Sequence, residues 1–213
     1  MINIKTFVFN AFQENTFILY DDTNDCVIID AGCSTENEEM QLKNFITENK
    51  LTPKLLINTH CHIDHILGNS FVTNEYNVKN LVHKDDLFFI EKAKEIAITY
   101  GLELNEPSLP DNIIDKEGEL SFGNSTLKIL HVPGHSPGSI ALYNDENKFV
   151  IVGDVLFNGG IGRTDLPGGD YNVLMRSINE KLFVLNDDVV VFPGHGSTTT
   201  ILKEKTENPF LCG

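Results

Sequence analysis

Short apolar runs recur along the chain, and they predict strands. The runs are rich in Phe, Ile, Val or Thr, which favour extended structure, and polar or turn-forming residues separate them. The predicted strands lie at residues 4–9, 16–20, 26–30, 54–58, 80–83, 126–132, 140–143, 149–152 and 189–192. The first three come in succession, and we expect them to pair antiparallel.

A second pattern, with apolar residues every three or four positions, predicts helices. The first of these, residues 36–49, opens with acidic residues and stops near Pro53. The other predicted helices lie at residues 66–76, 85–100 and 171–182, with a final helix after the last strand, and residues 102–118 form a long connection. Strands followed by helices occur twice, which favours two related halves packed as one α/β domain over residues 1–213.

Composition and charge narrow the class of protein. A chain of 213 residues with 41% hydrophobic and 22% charged residues is neither disordered nor a coiled coil. Its 16 Lys and Arg against 31 Asp and Glu give a net charge of −15, so we expect no nucleic-acid partner. No apolar run approaches the ~20 residues of a membrane span. The N-terminal residues also lack a secretory pattern, so we expect no membrane partner and a cytoplasmic location. The 4 cysteines form no CxxC pair, which argues against a zinc ribbon.

Histidines are concentrated directly after the predicted strand at residues 54–58. His60, His62 and His65 stand with Asp64 within six residues of one another. Packing does not explain such a cluster, because every buried ring nitrogen needs a partner. Neutral imidazole and carboxylate are ligands that zinc prefers. The pattern therefore predicts a metal site, and the alternative is a polar turn with chance histidines.

Three further candidate ligands follow apolar strands that run out into Gly-containing loops. They are His135, Asp154 and His195. If their strands are parallel neighbours, the strand ends meet at one edge of a sheet, which is the usual location of sites in α/β folds. Together with the first group they make five histidines and two aspartates, too many for one four-coordinate ion. Two metal ions that share Asp154 would use all seven.

On these residues the chain resembles the metallo-β-lactamase superfamily and, within it, compact bacterial proteins similar to glyoxalase II. The family's HxHxDH pattern stands here at residues 60–65, and the similarity continues through Glu204 and Asn208. The resemblance implies an α/β fold, an αββα sandwich of two mixed β-sheets flanked by helices. It also implies two divalent ions, Zn²⁺ first and iron or manganese as alternatives. One ion would be held by His60, His62 and His135 and the other by Asp64, His65 and His195, with Asp154 and a water or hydroxide between them.

The resemblance implies hydrolysis of a small-molecule substrate, a thioester above all, with the bridging hydroxide as nucleophile. Asp64 would then be a ligand first, and it could also orient or deprotonate the attacking water. The main alternative is a mononuclear iron persulfide dioxygenase. Metals with a purely structural role, β-lactam hydrolysis and RNA processing are further alternatives.

The Gly-rich loop at residues 158–170 contains Arg163, which could bind a substrate carboxylate. Its alternative role is an internal pair with Asp165. Asp30 could hydrogen-bond a ligating imidazole or could serve only the turn before Gly32. We expect Cys61 to be a buried bystander. Larger glyoxalase II proteins carry a further helical segment for glutathione beyond the position of Asn208, so specificity for glutathione is in question here.

Overall fold

The computed structural model describes residues 1–102, 104 and 107–212, which group into two compact units. The first unit comprises Met1–Asp115 and Ser121–Ser125, and the second comprises Lys116–Leu120 and the described residues from Thr126 onward. One domain over residues 1–213 stays a prediction.

A six-stranded mixed sheet is the centre of the first unit. Its strands, in spatial as well as chain order, are β1 (Asn3–Phe9), β2 (Glu14–Tyr20), β3 (Asp25–Ile29), β4 (Thr52–Ile57), β5 (Lys79–His83) and β6 (Asn112–Ile114). The strands β1, β2 and β3 are antiparallel, which confirms the prediction for the first three runs. From β3 to β6 the pairing is parallel, so the carboxyl ends of these strands lie at one edge.

The described part of this unit also has five α-helices. They are α1 (Glu36–Glu48), α2 (Ile63–Ile66), α3 (Asn69–Tyr76), α4 (Leu87–Glu91) and α5 (Ala93–Thr99). Thr35 and Glu38 form a capping box that fixes the start of α1. From α1, Leu42 and Ile46 pack with Ile28 of β3 in one apolar cluster. The helix predicted at residues 36–49 is thereby confirmed.

The predicted helix at residues 66–76 is wrong in its extent, because the structure has two short helices there, α2 and α3. The break is at Gly68, whose N–H donates to the carbonyl of Ala31 at 2.7 Å. A Cβ on this glycine would lie 2.2 Å from the Cys33 sulfur. This close approach to the loop after β3 separates the two helices. The predicted helix at residues 85–100 is likewise divided at Lys92, between α4 and α5.

The second mixed sheet also has six strands. They are β7 (Gly118–Phe122), β8 (Ser125–His131), β9 (Ile140–Asn144), β10 (Phe149–Gly153), β13 (Val190–Pro193) and β14 (Thr199–Thr200), in the spatial order β14-β13-β10-β9-β8-β7. A separate hairpin consists of β11 (Leu156–Phe157) and β12 (Gly160–Ile161). The helices α6 (Tyr171–Ser177) and α7 (Ile201–Glu207) pack on this sheet through Leu174 and Ile201. A π-helical turn, Ile178–Leu182, continues α6 over the rest of the helix predicted at residues 171–182.

The strands β8, β10 and β13 run in the same direction. The pairing of β10 with β13 is parallel, and both β8 and β10 are antiparallel to β9. Their carboxyl ends therefore lie at the same edge of the sheet. The loops that carry His135, Asp154 and His195 leave from this edge. The three strands share one direction, but only β10 and β13 are parallel neighbours, because β9 lies between β8 and β10.

The two mixed β-sheets with flanking helices are the fold that the resemblance implies. The sequence missed the short strands β6, β7, β11, β12 and β14. Of these, β6 lies inside the predicted connection at residues 102–118, and residues 103, 105 and 106 of that connection lie outside the described residues. Among the helices described, none has the length and apolar character needed to cross a bilayer.

Candidate metal centre

The first group of candidate ligands lies in the loop that follows β4 and in the single turn of α2. The His60 ring centroid lies 4.8 Å from that of His62 and 4.1 Å from that of His65. The Asp64 carboxylate lies 3.7 Å from Nε2 of His65. The three histidines are almost fully buried, with exposed fractions of 1%, 9% and 0%. The first unit therefore brings together all four residues that the HxHxDH pattern predicts.

Asp30 holds this loop from the neighbouring strand end. Its carboxylate accepts hydrogen bonds from the N–H of Thr59 at 2.7 Å and from the hydroxyl of Thr59 at 2.6 Å. The same carboxylate lies 3.1 Å from Nδ1 of His65. Because a carboxylate at Nδ1 favours a proton there, it leaves the Nε2 lone pair of His65 available for a metal. Asp30 therefore contacts a candidate ligand, and its φ of +52° is also the backbone conformation of a turn residue, so the structure shows both features.

Two other buried carboxylates contact this loop, and the sequence did not indicate either. Glu14 is fully buried, with Oε1 3.9 Å from Nδ1 of His65, and burial raises the pKa of this carboxyl well above its ordinary value. Asp86 accepts a hydrogen bond from the N–H of Cys61 at 2.9 Å. An acid beside the apolar run of β2 was a signal for Glu14. Asp86 gave none, because Asp85 and Asp86 resemble the solvated start of a helix.

Cys61, which we expected to be a buried bystander, and two histidines outside the HxHxDH pattern have other contacts. Cys61 is buried, and burial raises the pKa of its thiol well above the ordinary value, so it is not a reactive thiolate. A ring nitrogen of His83 accepts a hydrogen bond from the N–H of Asp85. Nε2 of His131 lies 2.9 Å from the carbonyl oxygen of Pro137, to which it donates.

The second group of candidate ligands converges on the carboxylate of Asp154. Its Oδ2 lies 3.6 Å from Nε2 of His135 and 3.5 Å from Nε2 of His195. Nδ1 of His135 lies 2.8 Å from the carbonyl oxygen of Arg163, which can only accept, so Nδ1 carries the proton. Nε2 of His135, on the side of Asp154, is then the ring nitrogen that can act as an acceptor or a metal ligand. The second unit therefore brings together the three remaining predicted ligands.

Glycines allow the close backbone approaches around this group. A Cβ on Gly162 would lie 2.0 Å from the carbonyl oxygen of Asp154. Gly134, directly before His135, has φ +129°, and a Cβ there would lie 2.2 Å from the backbone nitrogen of Leu174. Side chains at either position would displace the segments that carry His135 and Asp154.

A cleft of about 560 Å³ opens beside these three residues in the second unit. It is lined by His135, Asp154, Phe157, Asn158, Ile161, Arg163, His195, Gly196 and Ser197. The guanidinium of Arg163 donates two hydrogen bonds of 2.7 Å to the carboxylate of Asp165. The hydrogen bond from Arg163 lowers the pKa of Asp165 to about 2. The internal pair considered in the sequence is thus present, and Arg163 also lines the cleft.

The donor chemistry of both groups fits divalent metal ions. Borderline ions such as Zn²⁺ take neutral imidazole nitrogen and carboxylate oxygen as ligands. His65 and His135 each have an oxygen against Nδ1, which is the arrangement that orients a metal-ligating imidazole. The residues present therefore match the group that the resemblance implies.

Comparison with known proteins finds a family model and relatives that match nearly the whole chain. The sequence model of the metallo-beta-lactamase superfamily matches residues 10–195. The chain is 42% identical over 212 residues to hydroxyacylglutathione hydrolase GloC of Haemophilus influenzae, covering 99% of this chain and 98% of that protein.

Solved structures of similar length share the fold. The crystal structure of BLEG-1 B3 metallo-beta-lactamase has a TM-score of 0.92 at 33% identity and covers 99% of this chain and 100% of that one. The crystal structure of TTHA1623 in a di-iron-bound form has a TM-score of 0.87 at 35% identity, with coverage of 97% and 100%.

Proposed function

The chain belongs to the metallo-β-lactamase superfamily of metallo-hydrolases, and from this premise we propose that it hydrolyses small-molecule thioesters with two divalent metal ions, zinc in the first place. The observation that carries the proposal is the position of Asp154. Its Oδ2 lies about equally far from the histidines on either side, at 3.6 and 3.5 Å. A carboxylate in this position suits a bridge between two metal ions.

We propose that each ion takes its ligands from both groups of candidate side chains. One ion would be held by His60, His62 and His135, and the other by Asp64, His65 and His195, and Asp154 would serve both. The chemistry of the side chains supports this assignment, because imidazole nitrogen and carboxylate oxygen are the ligands that borderline divalent ions take. The di-iron form of TTHA1623 supports two ions and leaves iron as the alternative metal.

When bound, two such ions lower the pKa of a shared water from ~15.7 toward ~7 and so supply a hydroxide nucleophile. Asp64 is proposed as a ligand that also orients this water or accepts its proton. Its placement supports the role, because the Asn10 side-chain amide donates to the Asp64 carbonyl at 2.9 Å and so fixes the backbone there. Arg163 is proposed to bind a carboxylate of the substrate at the cleft.

A thioester suits the cleft because its leaving group needs no strong acid. Among the residues that line the cleft, Asp154 is the only carboxylic acid, and it is committed to the metals. A thiolate leaves readily without protonation, whereas an amine or alkoxide does not. The 42% identity with a hydroxyacylglutathione hydrolase supports the same class of substrate.

β-Lactam hydrolysis is a second candidate, and one observation favours it. The structure of BLEG-1, a B3 metallo-beta-lactamase, matches with a TM-score of 0.92 at 33% identity. The amine that leaves a β-lactam is released by ring strain, so the absence of a separate acid in the cleft does not count against this substrate.

A substrate panel distinguishes these candidates. Zinc-loaded protein is assayed against acyl-glutathione, acyl-coenzyme A, lactone and β-lactam substrates. We expect thioesters to be turned over fastest and Asp154→Ala to lose turnover with all of them. Asp188→Ala, which removes an exposed carboxylate paired with Lys148, should retain it.

Two results would overturn the proposal. One is retained thioester turnover in Asp154→Ala. The other is stoichiometric oxygen uptake by iron-loaded protein with glutathione persulfide and no thioester turnover, which would favour the dioxygenase.

A further inference from the structure

Glu204 is a fully buried carboxylate in α7, outside both groups of candidate ligands. Its Oε2 accepts hydrogen bonds from the N–H of Gly159 at 3.0 Å and from the side-chain amide of Asn208 at 2.7 Å. Its Oε1 accepts from the hydroxyl of Thr199. Burying a carboxylate is costly unless it is fully hydrogen-bonded, so this arrangement strongly restrains the groups that donate to it.

The restrained backbone is the turn of the β11–β12 hairpin. Besides the bond from Gly159 to Glu204, the Asn208 amide donates to the carbonyl of Gly160 at 3.1 Å. The two strands that this turn joins carry Phe157 and Ile161, the apolar side chains of the cleft. The position of both therefore depends on α7 and the residue that follows it.

A second set of contacts ties the same hairpin to the loop of His195. The Asn158 amide donates to the hydroxyl of Ser197 at 3.0 Å and to the carbonyl of Thr198 at 3.2 Å. Lys203 of α7 donates to the side-chain oxygen of Asn158 at 2.9 Å. The Phe157 ring centroid consequently lies 6.4 Å from that of His195. Phe157, one of the two apolar side chains of the cleft, therefore lies beside a proposed metal ligand.

We infer that Phe157 and Ile161 form the binding wall for an apolar acyl group of the substrate, and that Glu204 is the residue that positions this wall. The inference rests on the proposed thioester hydrolysis and names the part of the substrate that determines selectivity. The wall is apolar and small, which suits an aliphatic acyl chain. A polar, charged thiol carrier instead suits Arg163, on the chain segment that follows β12.

The test uses thioesters of one thiol, glutathione, with acetyl, butyryl and hexanoyl groups. The measured quantity is the ratio of kcat/KM for butyryl over acetyl. Phe157→Ala and Glu204→Ala should each lower this ratio about fivefold or more, since contact with two methylene groups is lost. The effect should fall mainly on KM, with the zinc content of the protein unchanged.

Two variants separate positioning from a general structural effect. Glu204→Gln retains one oxygen for the Gly159 N–H and an amide that Thr199 can bond, so it should restore the wild-type ratio. Glu207→Ala removes an exposed carboxylate from the same helix and should also leave the ratio unchanged. If Glu204→Ala does not fold, Asn208→Ala replaces it, because this change removes the bond to Gly160 as well as one to Glu204.

Hydrogen exchange measured by mass spectrometry gives a readout that does not need turnover. Amides of the hairpin should exchange faster in Glu204→Ala than in wild type and at the wild-type rate in Glu204→Gln. Equal exchange in all three proteins would overturn the positioning role of Glu204.

The remaining outcomes separate the two proposals. An unchanged ratio of butyryl over acetyl in Phe157→Ala would overturn the acyl assignment while thioester hydrolysis stands. Wild-type protein that releases thiol from no member of the series would overturn the proposed function and the acyl assignment together. Hydrogen exchange would still decide the role of Glu204.

Discussion

Several carboxylates in this protein position other groups by accepting hydrogen bonds from them, and Asp30 is the clearest case. It accepts two hydrogen bonds from Thr59 and lies against the imidazole of His65. It therefore fixes both the start of the histidine loop and the orientation of one proposed ligand. The sequence could name Asp30 as a candidate because it ends a strand. It could not choose between the two roles, because that choice depends on how closely β3 and β4 approach.

Replacement of Asp30 by Asn should weaken metal binding. An amide cannot accept both hydrogen bonds from Thr59 and also act as an acceptor at Nδ1 of His65. Loss of such a partner costs about 10–100-fold in metal affinity. Competition with a chromophoric chelator measures the zinc affinity. Asp25→Asn at the other end of β3 serves as the control, and equal affinity in Asp30→Asn and wild type would contradict the role.

Arg163 permits a second prediction at the scale of the residue. Arg163→Ala should raise KM about tenfold for thioesters whose thiol carries a carboxylate, since a charge-assisted hydrogen bond is lost. For a neutral thiol carrier KM should hardly change. Steady-state kinetics with a matched pair of thioesters checks this. An equal rise in KM for both would show that Arg163, paired with Asp165, only shapes the loop.

At the scale of elements, sequence patterns predicted most long segments and missed the short ones, and they also missed the five-residue strand β7, in which Gly, Glu and Ser accompany only two apolar residues. The strands with four or more apolar or β-branched residues were all found. The two-residue strands β11, β12 and β14 carry too few residues for a pattern, and β6 stands in a polar connection. Helix breaks at Gly68 and Lys92 were also missed, since at Gly68 the cause is contact with Cys33 and Ala31.

Asp21 accepts hydrogen bonds from the turn at Thr23 and from the turn at Asn124. Its contribution to stability should therefore depend on pH. Burial raises its pKa, but hydrogen bonds from Thr23, Ser125 and Asn124 outweigh this and lower the pKa from 3.8 to about 2. A lowered pKa means that the charged form stabilises the fold above pH ~4 and that this contribution is lost as pH falls toward 2. The stabilisation amounts to about 2 kcal/mol at neutral pH.

Asp21→Asn should therefore lower the free energy of unfolding by about 2 kcal/mol at pH 7. The difference from wild type should shrink as pH falls from 4 to 2. Urea unfolding at several pH values measures it, with Glu119→Gln, an exposed acid, as control. A difference that does not change with pH would contradict the account.

Gly134 is required because its backbone packs closely against the backbone of α6. Gly134→Ala should destabilise the protein by about 2–4 kcal/mol, because the methyl group meets the backbone of α6 and φ is unsuited to alanine. Gly101→Ala is the matched control, since φ is +67° but no atom lies within 4 Å of its Cβ. That change should cost about 1 kcal/mol. Thermal or urea unfolding compares the two, and equal losses would rule out the packing explanation.

At the scale of the whole molecule, the net charge of −15 does not describe the local charge at the proposed metal centre. With two dications, two aspartates and a hydroxide, the proposed centre would carry a charge of about +1. An acidic protein can thus attract an anionic substrate at this position. The sequence named the seven proposed ligands because each follows an apolar strand. It named Glu204 only as part of the resemblance, and it gave no role to Glu14, Asp86 or Glu204, because their partners are brought to them only by the fold.

The most direct test of the central claim is a zinc titration of metal-free protein, followed by the rate of thiol release from S-lactoylglutathione. The account predicts no release without metal and a rate that rises to a plateau at two zinc ions per chain. A plateau at one ion per chain, or no thiol release at any zinc content, would contradict a dinuclear thioester hydrolase.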